Sequence, residues 1–277
     1  MRRISFIFLL IFLQSVAAAP LKILAIGNSF SEDAVENYLY DIGKDKNIEF
    51  VIGNLFIGGC SLEAHWNNAM HGNAVYQYRK IENGSRTVDN AVRLETVLQD
   101  ENWDYITIQQ VSYKAGIQSS YYPYMVELLR YIRQRSKNPN LKVGFHMIWA
   151  YQQNSQHSGF IHYENNQYKM YQAIVDAVNQ IVADSAISVV IPSGTAIQNA
   201  RTSSLGDKLC RDGYHLDLNI GRYIAACTWF EAITGIDVTT TSFRPANISE
   251  SEAHIARQAA HFAVKCPFLI SSMAGGE

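Results

Sequence analysis

Apolar positions along the chain fall into two alternating patterns, short unbroken runs and longer stretches at helical spacing. The first run, Leu21-Lys22-Ile23-Leu24-Ala25-Ile26, ends at Gly27-Asn28-Ser29. A continuous apolar run bounded by Gly suits a parallel strand buried on both faces. Val35, Leu39 and Ile42 then recur at helical spacing, and Glu32, Asp33 and Glu36 lie near the start of that helix, where its dipole favours acids. Ser29 therefore falls where strand becomes helix, at the carboxyl edge of a sheet, which is where open α/β sheets bind ligands. Backbone N–H groups at a helix start can hold developing negative charge, although a Ser in such a turn also serves as an ordinary N-cap.

The alternation continues. Ile48 to Phe56 predicts a second strand, ending in Gly58-Gly59; Tyr105 to Gln109 a third; Leu141 to Trp149 a fourth; Ile187 to Ile191 a fifth. Between them, Met125, Leu128, Leu129 and Ile132 mark one amphipathic helix, and Met170, Ile174, Ala177, Val178 and Ile181 another. A short helix is expected near Ala196 to Ala200, a longer one over Asn219 to Thr234, and a last one to Val264 opened by the capping box Ser249-x-x-Glu252. Asn83-Gly84, flanked by Tyr76-Gln77-Tyr78 and Arg86-Thr87-Val88, signals a hairpin, with a short helix around Ala91 to Leu98 after it. The stretch from Leu62 to Trp103 is long for a strand-to-helix connection and reads as an insertion over the active edge. Alternating strands and helices imply an α/β protein, a three-layer α/β/α sandwich around a parallel sheet.

Composition sharpens the class. The chain has 277 residues, 48% of them hydrophobic and 17% charged, with a formal net charge of -2. That suffices for one large core, and no block of Lys or Arg is present to neutralise nucleic-acid phosphates. Arg2 and Arg3, the apolar run Ile4 to Leu13 and Ala17-Ala18-Ala19 form a secretory leader cleaved after Ala19. Residues 1–19 are thus read as a signal peptide and 20–277 as one domain, secreted or periplasmic and without stable membrane insertion. The four cysteines (Cys60, Cys210, Cys227, Cys266) permit two disulfides in such a compartment, or buried free thiols; with no CxxC or HxxxH spacing, no metal site is expected.

Candidate chemistry lies at both ends. Cys210-Arg211-Asp212-Gly213-Tyr214-His215-Leu216 places an Asp and a His three apart on a loop entering a helix, so that the Asp can orient the ring and the His can act as base towards a Ser. His146, inside an apolar strand, reads as a core histidine. Trp149 and Tyr151 close the fourth strand at the active edge and are expected as pocket wall. His65 and Trp66 follow Gly59 and are candidates for substrate contact; a core lid is the alternative for the Trp. Arg201, Arg211 and Arg222 are possible sources of positive potential, with ordinary solvated arginines as the alternative.

A Ser turn after the first strand, a Gly after the second, a polar residue after the third and DxxH before a late helix occur in that order. From Leu21 to about Gly235 this resembles the SGNH/GDSL hydrolase superfamily, with Asn28 where GDSL members carry Asp. The resemblance implies a flavodoxin-like fold, Ser29 as nucleophile, Asp212 and His215 as its triad partners, and an oxyanion hole from the N–H groups of Ser29 and Gly59. The third block departs, with Gln109-Gln110 in place of Gly-x-Asn-Asp. A Gln amide can donate the same hydrogen bond as Asn, so Gln109 takes that role, with Gln110 its rival. Such a triad needs no cofactor. The resemblance also brings Cys60 and Cys210 to one rim, where a Cys60–Cys210 disulfide is expected; two unpaired thiols are the alternative.

Segments rich in Asn, Gln, Tyr, Trp and His around these positions favour a hydroxylated partner, a polysaccharide or oligosaccharide, over a lipid. Within the superfamily the chain is most similar to secreted bacterial carbohydrate esterases, and its third block to a subgroup associated with pectic glycans. That implies removal of methyl esters from galacturonic acid units, then of O-acetyl groups. A glycan-binding protein that kept the fold without activity is the reading from another class.

Overall fold

In a computed structural model, residues 19–184 and 186–273 are described. The proposed leader lies outside them, apart from its last residue. Nine α-helices and seven strands are found among the described residues. Strand β1 (Leu21–Gly27) leads into α1 (Ser29–Val35) and α2 (Leu39–Asp45), followed by β2 (Phe50–Phe56) and α3 (Leu62–Met70). The hairpin β3 (Tyr76–Glu82) and β4 (Ser85–Val92) comes next, then α4 (Leu94–Leu98), β5 (Tyr105–Ile108) and α5 (Tyr124–Arg135). The chain continues through β6 (Lys142–His146), α6 (Gln167–Asp184), β7 (Val189–Ile191), α7 (Ser193–Arg201), α8 (Ile220–Thr234) and α9 (Glu250–Lys265).

The strands form one sheet in the order β4-β3-β2-β1-β5-β6-β7. β2, β1, β5, β6 and β7 run parallel, while β3 and β4 join antiparallel at the β2 edge. Helices cover both faces, giving the expected α/β/α sandwich: α8 packs against α1, α2, α7 and α9 on one side, and α3, α4 and α5 pack together on the other. Ile23, Leu24, Ala25 and Ile26 of β1 are all buried, as a central strand covered on both faces requires. β1 pairs with β2 on one side and β5 on the other, so the strand order reverses there, and the residues that follow Gly27 come to lie at the crevice that such a reversal leaves.

Two expectations change. The helix expected to run from Ser29 through Ile42 is broken, because Tyr38 adopts a left-handed backbone (φ 56°) and sends its hydroxyl to the Leu218 carbonyl, 3.0 Å away. The stretch from Leu62 to Trp103 is not an insertion over the active edge. Its first part is α3, and its hairpin widens the sheet, because Asn83 and Gly84 both take positive φ and the turn matches the twist of the strands it joins. The edge strand β4 is exposed along most of its length.

At the far end, Ser249 and Glu252 form the reciprocal capping box expected from sequence, and Ala253, Ala256, Ala259, Ala260 and Ala263 let α9 approach α7 and α8 closely. Ser249→Ala should lower stability by about 1 kcal/mol in urea unfolding; an unchanged midpoint would mean that α9 is held by its alanine face alone.

Candidate active site

Asn28 is the N-cap of α1, its Oδ1 accepting the Phe30 N–H at 3.0 Å, and Ser29 is the first helical residue. The Ser29 N–H therefore has no acceptor within the helix and its Oγ stands at the sheet edge. From the other end of the chain comes the loop before α8. The Oγ of Ser29 lies 2.8 Å from His215 Nε2, and His215 Nδ1 lies 2.6 Å from Asp212 Oδ2. A carboxylate can only accept, so Nδ1 carries the ring proton and Nε2 is left to accept from Ser29. Asp212 Oδ1 also accepts the backbone N–H groups of Tyr214 and His215, at 3.2 and 2.8 Å. Burial alone would raise the Asp212 carboxyl, but these hydrogen bonds, led by the His215 side chain, outweigh it and hold the group below its ordinary value, hence ionised.

The loop is fixed from three directions. Gly213 has φ +90° and donates no side chain to a tight spot: a Cβ there would sit 3.0 Å from the Cα of Ser155. Trp149 Nε1 donates to the Tyr214 carbonyl at 2.8 Å while its ring stacks on Phe30, 4.5 Å between centroids. Third, the buried carboxylate of Asp33, one turn after Ser29 on α1, accepts from Arg211 Nη1 (3.0 Å), Arg222 Nε (2.9 Å) and the Leu216 N–H (2.9 Å). Sequence reading took Asp33 only as a helix-dipole residue; its acid four positions after the Ser, with arginines flanking DxxH, was the available signal.

The crevice holds about 320 Å³ and is lined by Ser29, Gly58, Gly59, Tyr113, His157, Tyr214 and His215 together with Asn28, Phe30, Val111 and Ser112. Gly59 takes φ +64° with open space where a Cβ would point. Ser29, Asp212, His215 and Gly59 are thus brought together at one place, as expected. Tyr113, His157 and Tyr214 were not anticipated as lining residues; the only sequence signal was their place in polar loops after strands β5 and β6 and around DxxH.

Several expected contacts are corrected. Gln109 does not line the crevice: its Nε2 donates to Asn28 Oδ1 at 2.9 Å and its Oε1 lies 2.9 Å from His146 Nδ1. Gln110 is spent as well, on Ser120 and on the N–H groups of Leu62 and Val111. Both are buried, so neither amide faces an oxyanion. Trp149 and Tyr151 are fully buried and back the crevice rather than wall it, Tyr151 through a 2.7 Å bond to Ser112. His65 lies on the buried face of α3, bonded to Tyr76 and pushed down to about 3 by burial. Trp66 borders a separate groove of about 520 Å³ between α3 and α5, with Met70, Tyr131 and Arg135. Arg211, Arg201 and Arg222 are each paired with an aspartate, Asp33 or Asp207, and none lines the crevice. His146, by contrast, is the core histidine expected of it, pushed down to about 3 by burial and bonded to Gln109 and Ser193. Cys60 and Cys210 do not form the expected disulfide; both are free thiols, and burial pushes each up to about 12.

A Ser–His–Asp array at the carboxyl edge of this α/β/α sandwich places the chain among proteins with the SGNH hydrolase fold. It belongs to the family described as "Domain of unknown function (DUF4886)", which it matches over residues 22–263. A DUF4886 family protein from Bacteroides uniformis, known as a crystal structure, is 48% identical over 92% of this chain and 98% of that one, with a TM-score of 0.90. A protein provisionally assigned as an SGNH hydrolase from Slackia heliotrinireducens is 18% identical, covering 78% of this chain and all (100%) of that one, TM-score 0.53. An acetyl-xylooligosaccharide esterase from Geobacillus stearothermophilus is 12% identical over 79% of this chain and 97% of that one, TM-score 0.52. No curated protein matches the chain. Among the described residues, no helix is long and apolar enough to cross a membrane.

Two measurements check this geometry. Peptide mapping without reduction should recover Cys60 and Cys210 as separate thiols; a linked pair would require the rim to rearrange. Asp33→Ala leaves two arginines without their carboxylate and should cost about 3 kcal/mol, the low end for a broken buried pair because both arginines reach water. A change below about 0.5 kcal/mol in chemical denaturation would show that the clamp is not holding the loop.

Proposed function

We propose that the chain is a serine esterase acting on carbohydrate esters, exported by the leader read in residues 1–19. The observation that carries this reading is the continuous array Ser29–His215–Asp212, at 2.8 and 2.6 Å, open to a crevice beside Gly59. Ser29 gives its proton to His215 Nε2 as Oγ attacks the ester carbonyl. The oxyanion is held by the N–H groups of Ser29 and Gly59, with no side-chain amide; a missing donor of this kind typically costs about 10²–10³ in turnover, so this hole is the weaker for it. His215 then protonates the departing alcohol. Water, losing its proton to the same ring, attacks the acyl-enzyme, and the acid leaves as Ser29 recovers its proton. Asp212 stays ionised and holds the imidazolium throughout.

On substrate, a methyl ester of galacturonic acid was the first expectation and an O-acetyl ester the second. The uronate reading rested on the resemblance of the third block to a subgroup associated with pectic glycans, with only slight support from arginines near the triad. With those committed to Asp33 and Asp207 and the crevice lined by uncharged and histidine side chains, a neutral, O-acylated glycan fits better. An acetyl-xylooligosaccharide esterase shares this fold, which does not by itself select a substrate.

Ser29→Ala should reduce acetate release from acetylated xylan or pectin at least about 10³-fold while the thermal midpoint stays within a few degrees. Methanol release exceeding acetate release from pectin would restore the methyl-ester reading, and a wild type that releases neither product from any ester-bearing glycan would return the chain to a glycan-binding role.

A further inference from the structure

Beyond the triad, one face of the crevice is built from rings. His157 lies 4.9 Å from Tyr214 and 4.8 Å from Tyr151, centroid to centroid, and almost parallel to Tyr113 at 6.3 Å. Tyr214 in turn lies 4.1 Å from His215. The two imidazoles therefore flank one tyrosine, and the ring wall begins where the triad ends. His157 is only half-buried and borders the open space, with Tyr113 and Tyr214 beside it.

The protonation of His157 follows from its backbone partner. Its Nδ1 lies 3.0 Å from the Gly159 N–H, which can only donate, so Nδ1 accepts and the ring proton sits on Nε2. Burial, and then the neighbouring His215, push this ring below its ordinary value, which keeps it neutral. The wall thus offers apolar ring faces and an N–H donor, and no charge. That combination, apolar faces with a few placed polar atoms, is how small polar ligands are held and oriented.

Which half of an ester meets this wall is set by the reaction. His215 Nε2 must protonate the departing oxygen, so the alcohol half lies on the His215 side and the carbonyl oxygen on the Gly59 side. The ring wall continues from His215 through Tyr214 to His157. We infer that His157, Tyr113 and Tyr214 form the subsite for the alcohol half of the ester, that this half is a sugar ring, and that His157 Nε2–H donates to a hydroxyl neighbouring the esterified one. The inference rests on the esterase reading and deepens it: sugars acylated on a hydroxyl are the substrates, whereas a sugar-acid methyl ester would place its sugar on the wrong side of the carbonyl and leave the wall to methanol.

The test compares three esters on wild type, His157→Phe, which keeps a ring and loses the donor, and His157→Gln, which restores an amide donor. The esters are mono-O-acetylated methyl xyloside, p-nitrophenyl acetate, which has the same acyl group and no sugar hydroxyl, and the methyl ester of methyl galacturonoside. His157→Phe should lower kcat/KM on the acetylated xyloside roughly tenfold, mostly through KM, and change p-nitrophenyl acetate less than about threefold. His157→Gln should recover part of the loss. Equal losses on both acetates, or none on the sugar, would overturn the subsite, as would a wild type that prefers the uronate methyl ester. A wild type no faster than Ser29→Ala on p-nitrophenyl acetate would instead overturn the esterase reading, and the subsite with it.

Discussion

The carboxylate of Asp33 holds the two ends of the site in register. Ser29 and His215 are 186 positions apart, and their hydrogen bond tolerates only tenths of an ångström of misplacement. Asp33 sits fully buried on the same helix as Ser29 and receives two guanidinium groups and a backbone N–H from the His215 side of the molecule. A buried carboxylate without partners would be costly to keep charged, so α1 and the DxxH loop are locked together by the need to satisfy it. The arginines that looked available for an anionic substrate are the means by which this is done.

A second buried network supports the turn itself. Asn28 caps α1 and sends its Nδ2 to the Cys60 carbonyl, 3.0 Å away, which connects the Ser turn to the loop carrying Gly59. Gln109 donates to the same Asn28, His146 reaches Gln109, and Ser193 reaches His146, a chain of bonds across the ends of β1, β5, β6 and the start of α7. Such a network is favourable only when every member is satisfied. Gln109 is therefore used to hold the residue before the Ser rather than to meet a ligand, and the longer stem that suggested reach towards an oxyanion instead reaches Asn28.

Electrostatically the crevice is quiet. Its negative charge sits on Asp212, which is held ionised by the groups it accepts from, and its rings are arranged so that the one proposed as base and the one proposed as donor are neighbours with different tautomers. One imidazole has Nε2 free to accept and the other has Nε2 carrying a proton, because their Nδ1 atoms face a carboxylate in one case and an amide N–H in the other. Backbone and side-chain partners one bond away thus give the same residue type two different capabilities within one cavity.

Much was legible along the chain. The order of strands and helices, the central β1, the Asn-Gly hairpin, the capping box of α9, and the Ser turn and DxxH loop are local patterns: burial on two faces, a positive-φ turn and a cap each need only a few adjacent residues. What the chain alone did not decide was which polar side chains would face open space. His65, Trp149 and Tyr151 follow strands β2 and β6 at the active edge yet are buried; Tyr113, His157 and Tyr214 line the crevice from three loops; and Arg211 and Gln109 are claimed by partners 178 and 81 positions away. Periodicity fixes the side of an element on which a residue lies, but outside regular elements its orientation depends on distant groups competing for the same hydrogen bonds and the same volume, and only the folded chain brings those competitors together.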